Sequence, residues 1–477
     1  MEIRTVDIQI KHINSIRRGG MPKKSWKGSW RRGKARSDHL MTNPFRPDSP
    51  SMNFLAGLTE ATVEASRVRP GERVESGYPA NSLDNVLIRP GGRACYPAVW
   101  TQDFAVALAT GLITREEMWN HLRLVAEAQN GPKERKLKSG AIVPPFAVPD
   151  HVLFNGKAVY YPGTYSSGSD QGGEPWGIVP PTSNQYDFTL IAYRLWQATK
   201  RTDFLRRKIH GISVIERLRK AFRVPRIDPA TGLVSTDARR RAVGFLFYDS
   251  IYMTGHLFFA SILRWRTARH LAQLEEALGY SRQACVWREA VASIPRNIQR
   301  TFGDPLRMGG WLMAATEVGR QPDVWGTIYA LHLGILDRKT AVAARREIVK
   351  ALEEGTIAYK GAVRHVPTNH DASPTTAWER TPSGHNTYQN GAYWHTPTGW
   401  LISVLSKESP RWARRVFKEM IAHLRQEDFR KGTEYCAPWE CFGKDGLAQN
   451  NPVFLGSVAV PYGVLKTLAK PAKKKGR

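Results

Sequence analysis

Two glutamates, Glu434 and Glu440, stand in residues 432–457 beside Tyr435, Trp439 and Phe442, in a stretch too rich in Gly, Pro and Asn for a helix. Aromatic rings offer flat apolar faces on which a sugar ring can stack, and a carboxyl partly removed from water has its pKa drawn toward the working range. The chemistry such residues suit is cleavage of a glycosidic bond, which takes two carboxyl groups flanking the scissile bond. The upstream run Tyr96-Pro97-Ala98-Val99-Trp100-Thr101-Gln102-Asp103-Phe104 offers the partner. Asp103, where a loop turns into a helix and in the company of Tyr96, Trp100 and Phe104, reads as a general acid that protonates the departing oxygen. Helix capping is the plainer role for an acid at that position.

The elements that must hold these groups are helices. The chain has 477 residues, enough for one large helical toroid, and its periodicity reads as paired helices from about residue 248 onward. We expect helices over 55–69, 104–110, 118–129, 187–199, 202–222, 249–272, 281–302, 321–333, 340–354, 390–405, 409–426 and 458–468. Thr114 and Glu117 form a capping-box pattern ahead of 118–129. In each pair the first helix is richer in aromatic and small residues and the second more charged, as inner and outer helices of a ring are. The fold class expected is therefore all-α, an (α/α)6 toroid. The domain plan is a basic tail over 1–50, a catalytic toroid over 51–468 and a basic tail over 469–477. Residues 131–183 are a long irregular segment, and loops of that length inside a compact domain are usually functional.

The Trp100-Thr101-Gln102-Asp103-Phe104 segment, the paired helices, Tyr388-Gln389-Asn390-Gly391-Ala392-Tyr393-Trp394 and the Trp439-Glu440 loop together resemble the six-hairpin glycosidases. That group includes glycogen-debranching-type glucosidases, processing α-glucosidases with mannosylglycerate hydrolases, and α-L-rhamnosidases. The resemblance runs over roughly residues 75–468 and implies that Asp103 supplies the acid and a late glutamate the base. Glu440 fits the base better than Glu434, since it precedes a turn ending in Gly446; Glu434 then binds a sugar hydroxyl or orients a neighbour. The resemblance also implies inversion of the anomeric centre and no cofactor.

Further substrate-binding candidates are Trp100 and Trp439, then Tyr165, Asp170, Gln171, Glu174 and Trp176 from the irregular segment. Tyr248 and Asp249 at the head of an inner helix, Trp325, and Tyr388, Asn390, Tyr393, Trp394 and His395 complete the set. Rings in polar loops can stack on sugars, and the polar groups can hold vicinal hydroxyls. The histidines between 365 and 395 fit no metal-binding template, so no metal is expected. A lyase with Tyr393 and His395 as its pair, a glycoside phosphorylase and a catalytically inactive glycan-binding protein are the competing readings.

The formal charge of +28 invites a nucleic-acid reading, but much of the excess lies at the two ends. The expected partner is a carbohydrate substrate, with no specific nucleic acid and no membrane; oligomeric state is left open. Cys95, Cys285, Cys436 and Cys441 make no disulfide scaffold, with a Cys436–Cys441 pair or free thiols both open. Residues 1–20 lack a secretory core, so the chain as written reads as cytoplasmic; an export signal lost to a wrong start would make it secreted or periplasmic.

Overall fold

The computed structural model describes residues 45–46, 48–163, 172–444, 446 and 448–468. Most of 1–50, all of 469–477, and the candidates Tyr165, Asp170 and Gln171 lie outside the described residues.

Among the described residues twelve helices carry the architecture: α1 (Pro50–Ser66), α2 (Thr101–Ala107), α3 (Arg115–Ala128), α4 (Thr182–Thr199), α5 (Val214–Arg223), α6 (Phe258–Ala277), α7 (Ser281–Phe302), α8 (Val324–Leu333), α9 (Arg338–Glu354), α10 (Thr398–Glu408), α11 (Pro410–Gln426) and α12 (Gly456–Leu468). The even-numbered helices are buried along most of their length; the odd-numbered ones bury one face. The even-numbered helices pack in the order α2, α4, α6, α8, α10, α12 and back to α2, which closes a ring. The last hairpin is completed by the first helix, since α1 packs on α12 and also touches α11. The chain is thus an all-α (α/α)6 toroid. Its strands are two or three residues long; the largest sheet is antiparallel, β1 (Ala98–Trp100) against β2 (His151–Leu153) against β3 (Ala158–Val159).

Local chemistry explains where the helices start. Thr114 accepts from the Glu117 amide and the Glu117 carboxylate accepts from the Thr114 amide at 2.8 Å, the capping box expected for α3. Asp337 caps α9 by accepting from the Thr340 amide, and Ser213 caps α5 by accepting from the Glu216 amide. Three helix expectations are corrected. Residues 202–222 split into a turn of helix, Asp203–Arg206, a hairpin and α5. His210 and Gly211 both have positive φ there, the two-residue turn that joins right-twisted strands. Residues 249–257 are not helical: Gly255–His256 pairs with Ser235–Thr236, so Tyr248, which ends a short 3-10 turn, and Asp249 precede α6 by several residues rather than standing at its head. Residues 390–396 are likewise irregular, and Pro397 delays α10 to Thr398, because the residue before a proline is pushed out of the helical region.

Inner helices approach closely where glycine allows it. A Cβ on Gly399 of α10 would lie 2.6 Å from the Cα of Pro461 in α12. Overpacking of this kind costs ~1–3 kcal/mol, so Gly399→Ala should lower the unfolding free energy by about that amount in a urea titration. Gly131→Ala, where a Cβ meets nothing within 4 Å, serves as the control and should leave the midpoint in place. An unshifted midpoint for Gly399→Ala would contradict the close packing of α10 on α12.

Candidate active site

Acidic residues collect at the N-terminal ends of the inner helices. Asp103 is in the first turn of α2, Asp323 caps α8, and Glu440 lies in the loop that leads to α12. Helix N-termini carry partial positive charge, so this rim of the ring tolerates acidic groups.

Glu440 is 2% exposed. Its loop is a narrow hairpin: the Glu440 amide donates to the carbonyls of Asn450 and Asn451 at 3.1 Å, and Cys441 bridges to Asn450. Tyr393 and Phe442 exchange backbone hydrogen bonds of 2.9 and 3.0 Å on the other side. The Tyr96 hydroxyl donates to Glu440 Oε2 at 2.7 Å, and Asn451 Nδ2 donates to the same oxygen. Both donors therefore hold Oε2, leaving Oε1 for a further partner. Burial pushes the Glu440 carboxyl up to about 7, while the Asn451 and Tyr96 donors pull it back.

Asp103 is 7% exposed, and its Oδ1 is buried without a hydrogen-bond partner. Burial holds its pKa well above the usual carboxylate range, with the Glu440 charge next and Asp150 after it. Glu440 and Asp103 thus share one electrostatic neighbourhood across 337 residues of chain, as counted from their positions. Tyr96 links them in space: its ring meets Trp100 edge-on at 4.9 Å while its hydroxyl reaches Glu440. Trp100 stacks in turn on His151 at 4.3 Å.

Asp249 belongs to the same cluster. Burial pushes it up to about 8, against the pull of Gln389, and Asp150 and Glu440 add to the rise. As a residue Asp249 is partly exposed, whereas Asp103 is buried. Gln389, fully buried, positions it with four hydrogen bonds: Nε2 donates to Asp249 Oδ1 at 2.6 Å and to the Leu246 carbonyl at 3.1 Å, and Oε1 accepts from the Ser250 amide and hydroxyl at 2.8 and 2.9 Å. Gln102 Oε1, next to Asp103, accepts from the Leu246 amide at 3.2 Å and so joins the two aspartate segments. Tyr388 completes the group; burial raises its pKa first, and the charges of Asp249, Glu440, Cys441 and Asp103 follow.

Backbone strain gathers in the same place. Ala94, Tyr96, Tyr388, Asn451 and Val453 all have φ between 40 and 57°. Left-handed backbone costs ~1–3 kcal/mol at a non-glycine residue and persists where the surroundings over-determine it. Here it turns the Tyr96 and Asn451 donors onto Glu440.

The other candidates part company. Trp325 and Trp394 are fully buried: Trp325 stacks on His365 at 4.1 Å, and Trp394 donates from Nε1 to the Tyr388 carbonyl. Tyr248 gives its hydroxyl to Asp323 at 2.6 Å. Asn390 Oδ1 accepts from the Ala377 and Trp378 amides and from the Thr376 hydroxyl, a loop brace with no free face. His395 is buried behind Phe442 against His423, and Tyr393 lies in an apolar group with Ala362 and Phe442. These six stand in the core beneath the cluster rather than at its surface. Glu434 is exposed on its loop, and no hydrogen bond ties it to Glu440 among the described residues. Glu174 forms a bidentate ion pair with the buried guanidinium of Arg241, and Trp176 packs with Val143 and Tyr160, so both anchor their own loop. Trp439 is half-buried and donates from Nε1 to Glu427 at 2.6 Å.

The site also recruits Asn451 and Asp150, which the sequence reading gave no role, and Gln389 and Gln102, which it quoted only as parts of motifs. Asp150 is fully buried, held by His151 at 2.8 Å and Asn184 at 3.2 Å. A signal existed for Asn451 in the Asn450-Asn451 pair that closes the Glu440 loop; nothing local marked Asp150. The four cysteines are free. Among the described residues no group of three or more His, Cys, Asp or Glu is placed to hold a metal ion, and no helix is long and apolar enough to cross a membrane.

No protein-family model and no curated protein matches the chain. Solved structures do. A GH63 mannosylglycerate hydrolase from Thermus thermophilus, in complex with glucose, superposes with a TM-score of 0.53 at 15% identity, covering 86% of this chain and 99% of that one. A rhamnosidase from Klebsiella oxytoca with rhamnose bound gives 0.52 at 12% identity, covering 88% of this chain and 64% of that one. The closed ring of six inner helices is thus the six-hairpin toroid fold that this chain shares with those structures.

Proposed function

We propose that the chain is a glycoside hydrolase acting on an oligosaccharide or small glycoside, with Glu440 as the base that activates water and Asp249 as the acid that protonates the departing oxygen. The observation that carries the reading is the cluster itself: Glu440 at about 7 and Asp249 at about 8, the Glu440 charge felt at Asp249, with Asp103, Tyr96, Trp100 and Tyr388 around them. Groups whose environments set their pKa values near neutrality and apart are suited to acid and base work. Tyr96 and Asn451 donate to Glu440 and so favour its charged form, as a base requires. Mannosylglycerate hydrolase and rhamnosidase, the named proteins of like fold, are glycosidases by name.

Burial raises the pKa of both Asp103, the acid expected from the sequence, and Asp249, and residue exposure separates them. A general acid must touch the leaving oxygen. Asp249 is the more open, and the Gln389 bond to Oδ1 leaves Oδ2 to carry the transferable proton. Asp103 then acts as a donor to a sugar hydroxyl through its unpartnered Oδ1. Water activated by Glu440 attacks from the face opposite the leaving group, which inverts the anomeric centre; this geometry needs the two carboxyls ~6.5–9.5 Å apart.

The test is a panel of aryl glycosides and oligosaccharides, with the first-formed sugar followed by proton NMR. A reducing sugar of inverted anomer is the expected result. An unsaturated uronide or a sugar phosphate would establish the lyase or phosphorylase reading instead. Sugar binding with no turnover across the panel would make the chain a glycan-binding protein.

A further inference from the structure

Glu427 lies at the C-terminal end of α11, outside the acidic cluster, yet it touches both limbs of the hairpin that carries Glu440. Its Oε2 accepts from Trp439 Nε1 at 2.6 Å on the limb before Glu440 and from Gln449 Nε2 at 3.1 Å on the limb after it. Its backbone is tied to the same segment, since the Ala437 amide donates to the Glu427 carbonyl at 2.8 Å. The other carboxylate oxygen, Oε1, lies 3.7 Å from His423 Nε2, and His423 Nδ1 meets His395 Nε2 at 3.0 Å. The His423 contact, ahead of burial, and then the Trp439 bond decide the balance that holds the Glu427 carboxyl below its ordinary value, so it is charged when it accepts these bonds. A charged acceptor makes stronger hydrogen bonds than a neutral one.

Trp439 and Glu440 are neighbours on the first limb of the hairpin, and their side chains reach different partners. Glu440 points to Tyr96 and the acidic cluster; Trp439 points to Glu427 and the apolar group around Phe442. Gln449 stands two residues before Asn451, which donates to Glu440. We propose that Glu427 is a positioning residue for Glu440: it clamps the hairpin from behind, sets the place of the carboxylate through Trp439, and sets its proton affinity through the Gln449–Asn451 limb. In this arrangement Trp439 is a brace and not a sugar platform. The inference rests on Glu440 being the base.

The experiment compares the parent with Glu427→Ala and Glu427→Gln, and reads both kinetics and the titration of Glu440 by carbon NMR of side-chain-labelled glutamate. Misplacing a reacting group by about 1 Å can cost ~10²-fold in rate. Glu427→Ala should therefore lower kcat by roughly 10–100-fold with KM changed by less than about threefold. The Glu440 titration should move upward, because a loosened Asn451 favours the charged carboxylate less. Glu427→Gln keeps an oxygen that accepts from Trp439 and should recover most of the lost rate. A lower melting temperature with an unmoved Glu440 titration and unchanged kcat would overturn the proposal, leaving Glu427 a purely structural residue. If the titration moves but the parent releases no sugar, the brace stands and the hydrolase reading falls.

Discussion

Glu440→Gln should abolish turnover while making the protein more stable at neutral and alkaline pH. The loss of rate follows from removing the group that takes a proton from water, an effect of ~10²–10⁴-fold for a positioned general base. The gain in stability follows from linkage. The folded-state pKa of Glu440 is raised to about 7 by burial, whereas in the unfolded chain it returns to the ordinary carboxylate range. Below that range the side chain is protonated in both states and costs nothing. As pH rises toward 7 the unfolded chain ionises and the folded one keeps its proton, so stability falls, and above 7 the full cost remains. Integrated over that window the cost is ~3 kcal/mol, and Gln does not bear it. The amide oxygen still accepts from Tyr96 and Asn451. Melting curves should therefore show the variant above the parent at pH 8 and level with it near pH 4. A variant that melts below the parent at pH 8 would mean that the ionised carboxylate is well solvated or paired in the folded state, contrary to its burial.

Asp249→Asn and Asp103→Asn should fail differently. If Asp249 is the acid, its loss matters only when the leaving group needs a proton. With an alkyl or sugar leaving group Asp249→Asn should lose ~10²–10⁴-fold in kcat/KM. With a glycosyl fluoride or dinitrophenyl glycoside, whose leaving group departs unprotonated, the loss should shrink to about tenfold or less. Asp103→Asn should lose comparable activity on both kinds of substrate, because a hydroxyl contact serves the sugar whatever leaves it. The pH profile gives a second reading. The parent should show a bell, its acidic limb governed by a group near 7 and its alkaline limb by a group near 8, both being properties of the coupled set rather than of single residues. Asp249→Asn should erase the alkaline limb. The reverse pattern, with leaving-group rescue in Asp103→Asn, would return the acid role to Asp103.

Much of the fold was legible because helix signals are local. The Thr114–Glu117 capping box and the contrast between aromatic inner and charged outer helices both lie within single segments, and the structure has both. Helix starts misjudged at 249 and 390 share a cause. Their apolar and aromatic residues fit a helical period, but long-range pairing at Gly255–His256 and the Arg364 bonds to Gly391 and Asn386 draw those stretches into loops.

By itself the sequence determined which residue types suited to this chemistry the chain offers. The carboxyls of Asp103 and Glu440, with Trp100 beside the first and Asp249 and Tyr388 further along, are a matter of residue type. Only the tertiary structure decided which of these meet. Trp325, Trp394 and His395 look like subsite residues in a list of rings and became core, because Trp325 packs on His365 and Trp394, and His395 sits against His423 behind Phe442. Tyr96, Asn451 and Gln389 had no assigned role in the chain and became the groups that place Glu440 and Asp249. Burial and hydrogen-bond donors set a carboxyl's pKa, and they include partners as remote as Gln389 for Asp249, 140 residues away, and Tyr96 for Glu440, 344 residues away.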